Sequence, residues 1–104
     1  MVPSEIDVQG AAAWLQAGEA VLIDVREVEE YRRLRIPGAA LLPLSGFSPS
    51  QIPPLDGKKL LIHCAMGGRS RDAVMRCRLD GIDAVNVEGG IYSWAQAGLP
   101  TESG

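Results

Sequence analysis

The residue best placed to do chemistry is Cys64. The segment His63-Cys64-Ala65-Met66-Gly67-Gly68-Arg69-Ser70 sets a thiol ahead of two glycines, an arginine and a hydroxyl. Glycines let several backbone N–H groups turn toward one point, and a helix starting at about Ser70 aims its N-terminal amides and dipole at the same point. Arg69 adds a cation. A thiol with an ordinary pKa near ~8.5 becomes more acidic in such surroundings. The pattern predicts a thiolate nucleophile at neutral pH, in a cradle able to hold an extra anionic group such as a persulfide sulfur or a phosphoryl group. A lone cysteine after a strand is ordinarily a small buried hydrophobe. The glycines, the arginine and the helix start set Cys64 apart.

The other chemically able side chains read as structural. Cys77 lies seven residues past Ser70. That puts it roughly 10 Å along the helix, beyond the ~7 Å between Cα atoms that a disulfide with Cys64 tolerates. His63 precedes Cys64 in a strand, so its side chain points to the opposite sheet face and is poorly placed as a base. Two cysteines and one histidine without a Cys-x-x-Cys pair do not make a closed zinc site. Asp24, at a strand end, can accept from backbone donors. Arg26 and Glu30, four apart at a helix start, can pair. These three and Trp94 are read as architectural.

The surrounding elements explain how Cys64 is delivered. Val8, Ala11, Ala12 and Leu15 have helical spacing, with Asp7 as cap and Gly18 as stop. Ala20-Val21-Leu22-Ile23, Ala39-Ala40-Leu41-Leu42, Leu60-Leu61-Ile62 and Ala84-Val85-Asn86-Val87 are short, mostly apolar runs, as in strands buried on both faces. Residues 27–34 read as a surface helix with one apolar face, 45–57 as loop with one helical turn near Ser50, 70–80 as a helix, and 91–97 as the last helix. Alternating strands and helices predict an α/β domain with a mostly parallel sheet and helices on both faces. Ligands of such sheets bind beyond the carboxyl ends of the strands, where Cys64 falls.

The chain has 104 residues and a formal net charge of −3, which predicts one domain over residues 1–104 with residues 101–104 a frayed tail. The acidic balance argues against nucleic-acid binding. Four arginines between Cys64 and Arg78 make one locally basic segment, suited to a small anion. No apolar run approaches the ~20 residues of a membrane span, and no secretory leader opens the sequence, so a cytoplasmic protein is expected.

Three motifs together resemble the rhodanese-like family in its single-domain form. Leu22-Ile23-Asp24-Val25-Arg26, with Glu30-Tyr31 and Ile36-Pro37-Gly38-Ala39, is similar to its first signature, with Arg35 where a histidine is usual. The stretch from Cys64 to Ser70 is similar to its active-site loop, and Gly89-Gly90 with Trp94 to its C-terminal signature. The resemblance implies a rhodanese-like sheet of about five short strands and a thiosulfate sulfurtransferase-type enzyme needing no metal or organic cofactor. Cys64 would take a sulfane sulfur from thiosulfate or a related donor and pass it to cyanide or a thiol. Residues Ala65, Met66, Gly67, Gly68, Arg69 and Ser70 would hold the persulfide and the anionic donor, with Asp24, Arg26 and Glu30 in support. Two other readings belong to the same fold. One is a phosphatase or arsenate reductase, whose Cys-to-Arg loop is one residue longer than this one. The other is a non-enzymatic module or a carrier fed by another protein's persulfide.

Overall fold

The computed structural model describes residues 3–103. Met1 and Val2 of the expected leaderless start, and Gly104 of the expected tail, lie outside the described residues. The elements run β1 (Glu5–Ile6), α1 (Val8–Gln16), β2 (Ala20–Asp24), α2 (Val28–Arg33), β3 (Ala40–Leu41), β4 (Lys59–His63), α3 (Gly68–Leu79), β5 (Ala84–Val87) and α4 (Gly90–Gln96). Short 3-10 turns occupy Leu44–Gly46 and Pro49–Gln51, around the position where one turn was expected.

The five strands form one sheet in the order β1-β5-β4-β2-β3, and every pairing is parallel. The α/β expectation holds. The central strands are mostly apolar because both their faces are covered. Leu22, Leu61, Val85 and Val87 pack under Val8 and Ala11 of α1 and Ile91 and Trp94 of α4. Ile23, Leu60, Ile62 and Ala84 pack on the other face against Ala73, Val74 and Cys77 of α3 and against Phe47. Asp7 caps α1 as expected, accepting from the Gly10 amide at 2.8 Å.

Three expectations need correction. Helix α3 begins at Gly68 rather than about Ser70, because Gly67 takes a left-handed conformation (φ 110°) that turns the chain straight into the helix. Helix α2 lies on the surface, but none of its residues is buried and Val28 is exposed. The tail is tied down through Glu102, which exchanges backbone hydrogen bonds of 2.8 and 2.9 Å with Arg35 in an antiparallel bridge. Its carboxylate also accepts from the Arg35 guanidinium at 3.1 Å.

Strands β2 and β4 are neighbours, yet the chain leaves β2 toward β3 on one side and leaves β4 toward β5 on the other. The connections that leave their carboxyl ends therefore run in opposite directions, which marks the usual position for a site in such sheets. Cys64 stands at the end of β4 and Asp24 at the end of β2. Among the described residues no helix is long and apolar enough to cross a membrane.

Candidate functional site

Cys64 is 1% exposed, and its sulfur faces converging donors. The Gly67 amide donates to Sγ at 3.1 Å and the Ser70 hydroxyl lies 3.3 Å from it. Backbone hydrogen bonds from Met66 and Ser70 act on the same thiol. Ser70 is the third residue of α3, so its amide is one of those a helix N-terminus leaves without a partner. No side chain caps α3 at Gly67. The sulfur takes up its amides instead. Burial alone pushes the Cys64 thiol up, but the Ser70 hydroxyl and the Ser70, Gly67 and Met66 amides outweigh it and leave the thiol more acidic than usual.

The amides face inward because the carbonyls are held outward. The Ile91 amide donates to the Cys64 carbonyl at 2.9 Å and the Tyr92 amide to the Ala65 carbonyl at 3.1 Å. Both donors come from the first turn of α4. That close approach requires glycine at position 90: a Cβ there would collide with the Cys64 and Ala65 carbonyl oxygens, and the backbone is left-handed at φ 57°. Gly89-Gly90 is thus more than the turn its sequence suggests. Met66, at the tip of the loop, is 70% exposed.

Asp24 and Arg26 are buried together. The guanidinium donates to both carboxylate oxygens at 2.8–3.1 Å, the Arg26 amide donates to Oδ1 at 2.9 Å, and Nη2 also reaches the Leu34 carbonyl at 2.7 Å. Arg26 therefore does not pair with Glu30, as helical spacing suggested, because Asp24 lies closer in the same turn. Glu30 instead receives Arg69, with Nη1 at 2.7 Å and Nη2 at 2.9 Å from its two oxygens. The Arg69 fork holds the Glu30 carboxyl down to about 2. Arg69, assigned from sequence to an anionic donor, thus spends two of its five N–H groups on a neighbouring carboxylate and keeps three.

Ser70 opens a polar path that sequence reasoning missed. Its hydroxyl meets the Asn86 side-chain oxygen, Asn86 Nδ2 donates to Glu5 at 2.8 Å, and Arg71 Nε donates to the same Glu5 oxygen at 3.0 Å. Asn86 is buried in β5 and Glu5 belongs to edge strand β1, so the path runs from the sulfur to the surface. The one legible sign was an amide inside the apolar run of residues 84–87.

The remaining candidates fall outside the sulfur's reach. His63 is fully buried beside Asp24, its register partner on β2, with Nε2 3.5 Å from the carboxylate and Nδ1 3.2 Å from the Cys64 carbonyl. Burial lowers its pKa, against the opposing pull of Asp24 and the Cys64 carbonyl, so it is a neutral imidazole in the core. Cys77 is free and fully buried, and burial raises its thiol, with Asp80 adding to the effect. Among the described residues no group of three or more His, Cys, Asp or Glu side chains could hold a metal ion.

The profile of the Rhodanese-like domain family matches residues 7–97. A sulfurtransferase of Allochromatium vinosum is 36% identical over 101 residues, which cover 93% of this chain and 92% of that protein. An uncharacterized protein of Synechocystis is 40% identical over 87 residues, covering 83% of this chain. The chain spans 49% of that protein's length and 40% and 47% of two further curated relatives. Among solved structures, a rhodanese-related protein from Thermoplasma volcanium superposes with a TM-score of 0.86 at 31% identity, over 96% of this chain and 98% of that one.

Proposed function

The chain belongs to the rhodanese-like family, and on that premise we propose that it is a sulfurtransferase whose nucleophile is the Cys64 thiolate. The observation that carries this reading is the meeting of the Gly67 amide and the Ser70 hydroxyl on one sulfur atom at the N-terminus of α3. With thiosulfate as donor, the thiolate attacks the sulfane sulfur. The new Sγ–S bond forms, the bond to the sulfite group breaks, and sulfite leaves with the electron pair. The negative charge then sits on the outer sulfur. Cyanide or a thiolate attacks that outer sulfur and releases the Cys64 thiolate. Neither half moves a proton once the thiolate exists, which fits a site where His63 does not touch the sulfur. The amides that neutralise charge at Sγ act as the donors of an oxyanion hole do, fixed before the reaction begins.

Sulfur transfer fits better than phosphoryl or arsenate chemistry. Arg69 follows Cys64 by five residues, one fewer than in the Cys-to-Arg loops of the phosphatases and arsenate reductases, which supports a ring of amides sized for one sulfur atom rather than for a phosphoryl group. The three remaining N–H groups of Arg69 still favour an anionic donor, whether thiosulfate, a low-molecular-weight persulfide or a persulfide on another protein.

Intact-mass analysis after exposure to each of these donors tests the reading. One added sulfur that maps to Cys64, and is lost with sulfur transfer in a folded Cys64→Ser variant, is the expected result. An added sulfur on Cys77, or efficient Cys64-dependent hydrolysis of an aryl phosphate, overturns it.

A further inference from the structure

Asn86 is the one polar side chain of β5, and both ends of its amide are committed. Nδ2 faces Glu5, whose carboxyl is held below its usual range by that amide and by Arg71 and is therefore ionised and acceptor-only. This fixes the amide orientation, so the oxygen must face Ser70. The Ser70 hydroxyl has one hydrogen and three acceptors around it: the Asn86 oxygen, Cys64 Sγ at 3.3 Å and the Gly67 carbonyl at 3.2 Å. The Gly67 carbonyl already accepts from the Arg71 amide at 3.2 Å. The hydrogen is therefore contested between the amide and the sulfur.

We propose that Asn86, locked by Glu5, is a positioning residue that acts through Ser70, drawing the hydroxyl hydrogen away from Cys64 Sγ whenever that sulfur carries no full charge. With Cys64 as a thiol, every donor has an acceptor: S–H to Ser70, Ser70 to Asn86, Asn86 to Glu5. With Cys64 as a thiolate, Ser70 turns its hydrogen to the sulfur and leaves the Asn86 oxygen facing a lone pair in a buried site, which is costly. Sulfur capture relieves this. The charge moves from Sγ to the outer sulfur, and Ser70 returns its hydrogen to Asn86. The relay thus penalises the anion at Sγ and spares it one atom further out, favouring the sulfur-loaded protein over the free thiolate.

The proposal rests on Cys64 being the reacting sulfur, but its test needs no sulfur donor, so failure of the sulfurtransferase reading would show separately. The Cys64 titration midpoint is read from the ultraviolet absorbance of the thiolate, with Cys64→Ser as the blank. The other charged groups around the site, Arg69 with Glu30, Asp24 with Arg26, and His63, are unchanged in the variants. Asn86→Ala removes the competing acceptor. Glu5→Ala, a change on an edge strand whose pairing with β5 is made by backbone groups, removes the lock and lets the amide turn over. Each should lower the midpoint by roughly half to one pH unit, the size of the ordinary Ser70–Asn86 hydrogen bond that ionisation of Cys64 gives up. In a Ser70→Ala background neither should move it. A midpoint unchanged or raised by Glu5→Ala overturns the proposal. So does an equal fall in the Ser70→Ala background, which would mean that the loss of the Glu5 charge and the freeing of Arg71 act directly through space.

Discussion

Replacing Gly90 with alanine should damage both the fold and the thiol, and the structure separates the two costs. Gly90 has φ 57° and no room for a Cβ, which would strike the Cys64 and Ala65 carbonyl oxygens. Gly98, at the far end of the same helix, has φ 76° and nothing within 4 Å of a Cβ. Gly98→Ala therefore carries only the left-handed strain of a non-glycine residue, about 1–2 kcal/mol. Gly90→Ala carries the same strain plus a forced backbone displacement of about 1–3 kcal/mol, for a total of about 2–5 kcal/mol. The loop can make way only by moving off the Ile91 and Tyr92 amides that hold its carbonyls. Its own amides then tilt away from Cys64, and the thiol midpoint rises. Urea unfolding of both variants, with unchanged slopes, gives the stability difference, and ultraviolet titration gives the midpoint. Equal destabilisation by the two substitutions, or an unmoved Cys64 midpoint in Gly90→Ala, would refute the claim that α4 holds the loop in shape.

Other outcomes follow from the ion pairs. Glu30→Gln should release Arg69 and lower the apparent KM for thiosulfate severalfold, whereas Arg69→Ala should raise it; steady-state kinetics at low ionic strength decides, and an unchanged KM in both would leave donor binding to the backbone alone. Glu30 sits at about 2 against 4.5, a depressed value, so its stabilisation is present above 4.5 and disappears as pH falls toward 2. Because this pair is about one-third exposed, the acid loss should be only about 0–1 kcal/mol and smaller in high salt, as read by urea unfolding across that range. Asp24→Asn strands the buried Arg26 charge and should cost about 3–5 kcal/mol in the same assay. A loss below ~1 kcal/mol would mean that water reaches the pair.

The parts of the molecule set by neighbours in sequence were readable, and those set by distant partners were not. The apolar runs at Ala20 and Leu60 announced β2 and β4 because burial on both faces leaves a continuous signature. Strand β1 is two residues long and has no period to detect. The start of α3 was displaced because Gly67 and Gly68 read as loop, while a left-handed Gly67 begins the helix at once. Around Cys64, the glycines and helix start pointed to the amide cradle. The ion pairs went astray at Glu30, whose partner lies 39 positions away rather than four. Asn86 and Glu5, 81 apart, meet only because β1 and β5 lie side by side.

The outermost strands, β1 and β3, are two residues each, while the inner three have four or five. Such short borders expose too few free N–H and C=O groups to template the addition of a foreign strand. A sheet finished in this way resists edge-to-edge aggregation. It can also sit beside other folded units in a longer polypeptide without being stitched into their sheets.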